Sequence, residues 1–203
     1  MIEKQSRPGK DSRLKDVRKA ARQLFAQHGY EAVNTKMIAE AANISRGLIY
    51  RYHGTKDEIL SDVLLEFLDE ETVVMQKWVQ SGLPDMPGER GEAGIIAEYF
   101  NRIFEYDSQQ EVVSFRMMAA RQSWSWDAET ELQVYEKAGV LFWPLNELLE
   151  THGYKYLEEA IRNTIWAVYS ETFRQAIVRA DDGEISKGLW RMLFEQSLKT
   201  LRL

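Results

Sequence analysis

Along this chain apolar residues recur at three- and four-residue steps with polar residues between them, the period of amphipathic helices rather than the alternation of strands. Leu14, Val17, Ala21, Leu24 and Phe25 share one face of a first helix, and Ile38, Ala39 and Ala42 form the inward face of a second, short one. Asn43 then tolerates the left-handed conformation that ends a helix, and Ile44 supplies an apolar plug for the turn. A third helix over roughly Arg46 to Tyr52 turns Ile49 inward. Thr35 is expected to cap the second helix and Ser45 the third.

The same period continues beyond. Lys56 to Gln80 places Ile59, Val63, Leu64, Phe67, Leu68, Met75, Trp78 and Val79 on helical steps, which predicts one long helix. Ser81 to Gly91 holds two prolines and three glycines and reads as a loop. Glu92 to Tyr106 and Gln109 to Ser123 read as helices, the SWSWD run breaks the pattern, and Asp127 can cap a helix reaching Thr151. Pro144 inside it removes a backbone bond and should kink it near Val140 to Leu141. Lys155 to Arg179 and Glu184 to Leu201 are the last two helices. The fold class is therefore all-α.

Thr35 to Leu60 has the layout of a helix-turn-helix DNA reader, with Arg46, Gly47, Leu48, Tyr50 and Arg51 left for an outer face. Charge sharpens this reading. Residues 1 to 56 carry 12 Lys and Arg against 5 acids, a net of +7, while the other 147 residues carry 14 against 27, a net of −13. A basic end on an acidic chain is the electrostatic footprint of a phosphate-binding domain joined to something that is not one. An ordinary helical hairpin with a solvated basic face is the competing reading; caps, turn, small-residue packing and charge segregation together weigh against it.

At these residues the chain resembles the TetR family of bacterial transcriptional regulators. The resemblance runs through the first helix, Gly29-Tyr30, Thr35, Ile38-Ala39, Ile44-Ser45, Gly47, Ile49-Tyr50, Lys56 and Ile59-Leu60, about the first 60 residues. It implies a three-helix DNA-binding head over residues 11–55 and a helical bundle for ligand binding and dimerisation over 56–203; residues 1–10, MIEKQSRPGK, read by themselves as a disordered arm. Carried over by position, Thr35 resembles a phosphate contact, with Lys36 beside it. Ser45, Arg46, Gly47 and Leu48 occupy the base-facing start of the recognition helix, and Tyr50 and Lys56 resemble backbone clamps, with Arg51 on the same outer face. Arg46 is the candidate guanine reader, because a guanidinium fork can bond O6 and N7 together. His53 departs from the family, which commonly has phenylalanine there; a partly buried histidine bonded to a backbone group is the expectation.

The middle of the chain is aromatic-rich. Trp78, Phe100, Phe104, Trp124, Trp143 and Trp166, with Met117, Arg116 and Arg121, are candidate walls of a small-molecule pocket, although each aromatic residue alone is more simply core. The last two helices carry apolar residues around much of their circumference, and Leu157, Ile161, Ile165, Val168, Leu189 and Leu193 are candidates for a homodimer interface; the family resemblance implies the same.

These readings converge on a ligand-responsive dimeric DNA-binding regulator, most simply a repressor released from its operator by a small molecule. The alternative is a non-sensing architectural or partner-recruiting helix-turn-helix protein. An enzyme is not expected: Glu70 and Glu71, or Glu158 and Glu159, point about 100° apart on a helix, and no nucleophile or glycine-rich phosphate motif is present. The absence of cysteine excludes disulfides and cysteine-ligated zinc. His28, His53 and His152 show no ligand spacing, so neither metal nor cofactor is expected. With no signal-like or membrane-length apolar run, a cytoplasmic location away from the membrane is expected.

Overall fold

A computed structural model describes residues 9–81, 91–122, 126–178 and 187–200, without the side chains of residues 110, 111, 120, 121, 177 and 178. The expected loop at Ser81 to Gly91 and the SWSWD break fall largely outside the described residues. Those described form ten α-helices and no strand. They are α1 (Lys10–Ala32), α2 (Thr35–Ala41), α3 (Arg46–Tyr52), α4 (Lys56–Gln80), α5 (Glu92–Asp107), α6 (Gln110–Gln122), α7 (Ala128–Val140), α8 (Phe142–Thr151), α9 (Glu159–Val178) and α10 (Lys187–Thr200).

By contacts the chain divides into two units, one of residues up to Phe67 with Ser114–Val134, the other of Leu68–Val113 with Tyr135–Leu203. In the first, Val17, Ala21 and Phe25 of α1, Ile38 and Ala39 of α2, Ile49 of α3 and Ile59, Leu60 and Val63 of α4 are buried. All but Leu60 are positions the helical period selects, while Leu14, Leu24 and Ala42 of the same stripes are half-buried. Gly29 interrupts α1 with φ 76° and ψ 163°, a conformation essentially reserved for glycine. Tyr30 follows that break and donates its hydroxyl to Asp57 at the start of α4.

The capping of α2 differs from expectation. Asn34, not Thr35, is the N-cap, and its Oδ1 accepts from the backbone N–H groups of Lys36 and Met37 at 3.0 and 3.1 Å. Two adjacent residues both had capping side chains, and the backbone places the extended one at Asn34 (φ −129°, ψ 164°). Asn43 adopts φ 52°, as the turn requires. Ser45 holds the N-cap position of α3 without a side-chain cap bond; its carbonyl accepts from Leu48 N instead.

In the second unit, Tyr99, Phe100 and Phe104 of α5 meet Tyr169 and Phe173 of α9 and Trp190 and Phe194 of α10 in one buried cluster. Phe104 stacks on Trp190 with ring centroids 4.4 Å apart. The helix expected across Asp127–Thr151 is divided at Leu141, within the Val140–Leu141 stretch where Pro144 predicts a kink. Tyr99 donates its hydroxyl to the Leu141 carbonyl at that break. Asp127 caps α7 through Thr130 N at 2.7 Å. α9 begins at Glu159 rather than Lys155, because Leu157 N–H is taken by Asn146 Oδ1 at 3.2 Å and its carbonyl by Arg162 at 2.7 Å.

Candidate nucleic-acid interface

The outer surface of α3 carries the candidate contacts. Ile49 is fully buried against the head, so the opposite side of the helix, with Gly47 and Arg51, faces outward; Arg46, Gly47 and Arg51 are exposed. Tyr50 is 51% exposed. Arg46 Nη2 donates to Tyr50 Oη at 3.0 Å, and that oxygen lies 3.4 Å from Thr35 Oγ1. The Thr35 hydroxyl and the Arg46 guanidinium hold the Tyr50 phenol below its ordinary value. One side of α3 thus joins the start of α2 in a hydroxyl and guanidinium cluster whose polar atoms can bond an anionic oxygen. Lys36 is exposed nearby, 3.9 Å from Glu40.

Lys56 stands differently. Its Nζ donates to the Tyr30 and Val33 carbonyls at 2.9 and 3.0 Å and lies 3.9 Å from the centroid of the Tyr30 ring. An ammonium has three donors, and two are taken by the end of α1. The residue ties α4 to α1, which leaves one donor for any phosphate. Thr55 caps α4 beside it, accepting from Glu58 N at 3.1 Å. His53 closes α3 and is 3% exposed. Its Nδ1 lies 3.0 Å from Asp62 Oδ2 of α4, a carboxylate in place of the expected backbone group.

On the far side of α3 lies a groove of about 910 Å³ between α1 and the α2–α3 turn. It is lined by Arg13, Asp16 and Lys19 together with Ser45, Leu48 and Arg51. Sequence alone gives the spacing of the α1 cations but not which of them face α3, so it assigns Arg13 and Lys19 no site.

The pocket candidates are divided between the two units. Phe100 and Phe104 are buried in the aromatic core, and Trp78 and Trp166 are half-buried against it. Arg116 lies 5.0 Å from the Phe67 ring centroid in the first unit, with Met117 half-buried next to it. Trp143 is 75% exposed and lines a cleft of about 680 Å³ with Thr72, Gln76, Glu147, Tyr156 and Arg162. Trp124 and the side chain of Arg121 lie outside the described residues. Of the dimer candidates, Leu157 and Ile165 are buried within their own chain, whereas Ile161, Val168, Leu189 and Leu193 are half-buried.

With this geometry in place, comparison with known proteins is decisive for the head. Residues 17–63 match the family model described as bacterial regulatory proteins, tetR family. Residues 17–63 are thus a TetR-type helix-turn-helix head. It is 41% identical over 59 residues to the HTH-type transcriptional regulator HbdR of Aromatoleum sp., a match covering 29% of this chain and 26% of that protein. The chain thus spans only about a quarter of the length of that curated relative. The fold likeness is broader. The fatty acid degradation regulator FadR from Bacillus halodurans superposes with a TM-score of 0.66 at 20% identity, over 97% of this chain and 99% of that one. FadR from Bacillus subtilis, solved in complex with stearoyl-CoA, gives 0.64 at 19% identity over 89% and 95%. The likeness of fold therefore runs along most of the chain, while the match to the curated relative is confined to 59 residues. No helix among the described residues is long and apolar enough to cross a membrane.

Proposed function

We propose that this protein is a dimeric transcriptional regulator that binds an operator through α3 and is released from it by a small molecule. The observation that carries the DNA-binding part is the exposed cluster of Arg46, Tyr50 and Thr35 on a three-helix head whose sequence matches the TetR model. In the major groove, Arg46 or Arg51 would meet base edges, and Thr35, Lys36 and Tyr50 would fix register on the backbone. Two such heads must sit about 34–36 Å apart, or a multiple of one turn, to enter successive grooves. The half-buried Ile161, Val168, Leu189 and Leu193 and the 55% exposed Met192 leave apolar surface on α9 and α10 for a second copy.

Release would run through α4. Its first turns are tied to α1 by Lys56 and Asp57 and to α3 by Asp62, so a tilt of α4 would carry the head as one body. The affinity lost equals the ligand's differential affinity for the two states and no more. The fold neighbour solved with stearoyl-CoA makes acyl-CoA the first effector class to test. The non-sensing alternative draws support from the tight packing of Phe100 and Phe104, which are 0 and 1% exposed.

Selection of duplexes from a random pool by the full chain tests the first part: no enriched sequence would remove it. Titration of acyl-CoAs of several chain lengths into the selected complex tests the second, and equal affinity with and without saturating ligand would leave the non-sensing reading. Light scattering that finds a monomer at micromolar concentration would remove the dimer.

A further inference from the structure

We infer that the groove between α1 and α3 seats a second sugar-phosphate strand, with Arg13 and Lys19 of α1 as phosphate contacts. This rests on the reading of α3 as the helix that enters the major groove.

The charge state of the groove points to a polyanion. Among the described residues most cations of the head are engaged: Arg18 with Glu66 at 2.9 Å, Arg22 over the Phe67 ring, Lys36 with Glu40, Arg46 with Tyr50 and Lys56 with two carbonyls. Arg13, Lys15, Lys19 and Arg51 have no such partner, and three of these four, all but Lys15, line this one groove. A single acid, Asp16, lines it with them. Three unpaired cations against one carboxylate in a concave surface raise the local concentration of anions.

Its position points to a strand of duplex rather than to a free anion. A helix with its side chains is about 10–12 Å across and the major groove about 12 Å wide, so a seated helix is bordered by both backbones. The cluster at Tyr50 and Thr35 serves one border. Leu48 is two residues from Tyr50, hence about 160° around the helix, and it lines the groove with Arg51. Arg13 and Lys19 therefore stand on the border that the helix-turn-helix pair leaves uncontacted. Their charge would position the protein without reading sequence.

The test uses the full chain, a mixed-sequence duplex and binding anisotropy across a salt series. Each phosphate contact contributes about 0.9 to the slope of log affinity against log salt, or roughly 3.5-fold in the affinity lost between about 50 and 200 mM salt. R13A and K19A should each flatten the slope by that amount, while R13K retains it. K15A removes an exposed cation of α1 outside the groove and should leave the slope unchanged. D16N should act in the opposite direction and tighten binding at low salt. Wild-type slopes in R13A and K19A, or equal flattening in K15A, would overturn the groove while leaving α3 as the reader. A wild-type chain that binds no duplex would overturn the head reading and the groove with it.

Discussion

His53 Nδ1 lies 3.0 Å from Asp62 Oδ2, joining the last residue of the α3 region to the second turn of α4. The histidine is 3% exposed and its Nε2 is buried without a partner. A buried polar group left unpaired costs about 1–3 kcal/mol, whereas replacing it by an apolar group of similar shape is near neutral. Asp62→Ala should therefore destabilise the head by roughly 1 kcal/mol, the carboxylate being partly solvated. His53→Phe should match or exceed the wild-type melting temperature. A loss in H53F as large as in D62A would show that the Nδ1 bond outweighs the burial of Nε2.

Tyr30 makes the head sensitive to alkali. Burial, then the hydrogen bond to Asp57, pushes its phenol well above the ordinary tyrosine value. Above about pH 10 the unfolded chain releases this proton while the folded one retains it, so stability is full below that pH and falls as pH rises beyond it. Tyr99, buried near Glu71, adds to the same slope. Tyr30→Phe should flatten the decline of stability between about pH 10 and 11.5, read by denaturant melts. An unchanged slope would refute the assignment to Tyr30.

Gly29→Ala should destabilise the head although space is open. No atom lies within 4 Å of the Cβ it would add, but φ 76° with ψ 163° is a region essentially closed to alanine. A cost of about 1–3 kcal/mol is expected, seen as a lower melting temperature. A neutral substitution would mean that the chain reverses there with another backbone geometry.

Tyr169 donates to Asp107 Oδ2 at 2.6 Å, and both residues are buried, at 1 and 0% exposure. Tyr169→Phe keeps the ring stacking and removes only the bond. It should cost the second unit about 1–3 kcal/mol, because a buried acceptor loses its donor. Thermal melts in which Y169F equals wild type would show that Asp107 is held by its other contacts.

Much of this fold was legible in residue order. The helical period placed α2, α3 and α4, since each has an inward stripe that must be buried, and Pro144 announced the break at Leu141 through its missing N–H. The cap of α2 was not, because Asn34 and Thr35 are both capping residues and only backbone dihedrals separate them. Nor was the division of labour among aromatic residues. Phe104 and Trp143 are equally apolar in sequence, yet one is stacked at 4.4 Å in the core and the other is 75% exposed.

Residue order alone thus determined the class of the molecule: an all-helical chain with a basic helix-turn-helix end, set by periodicity, turn chemistry and charge, which are local. Tertiary structure decided which charges are free. Lys56 and Arg13 read alike along the chain, but folding brings two carbonyls from the end of α1 and its cap to the first and no hydrogen-bond or ion-pair partner to the side chain of the second. The availability of a cation depends on what lies within about 4 Å of it in space, and those neighbours come from residues more than 20 positions away.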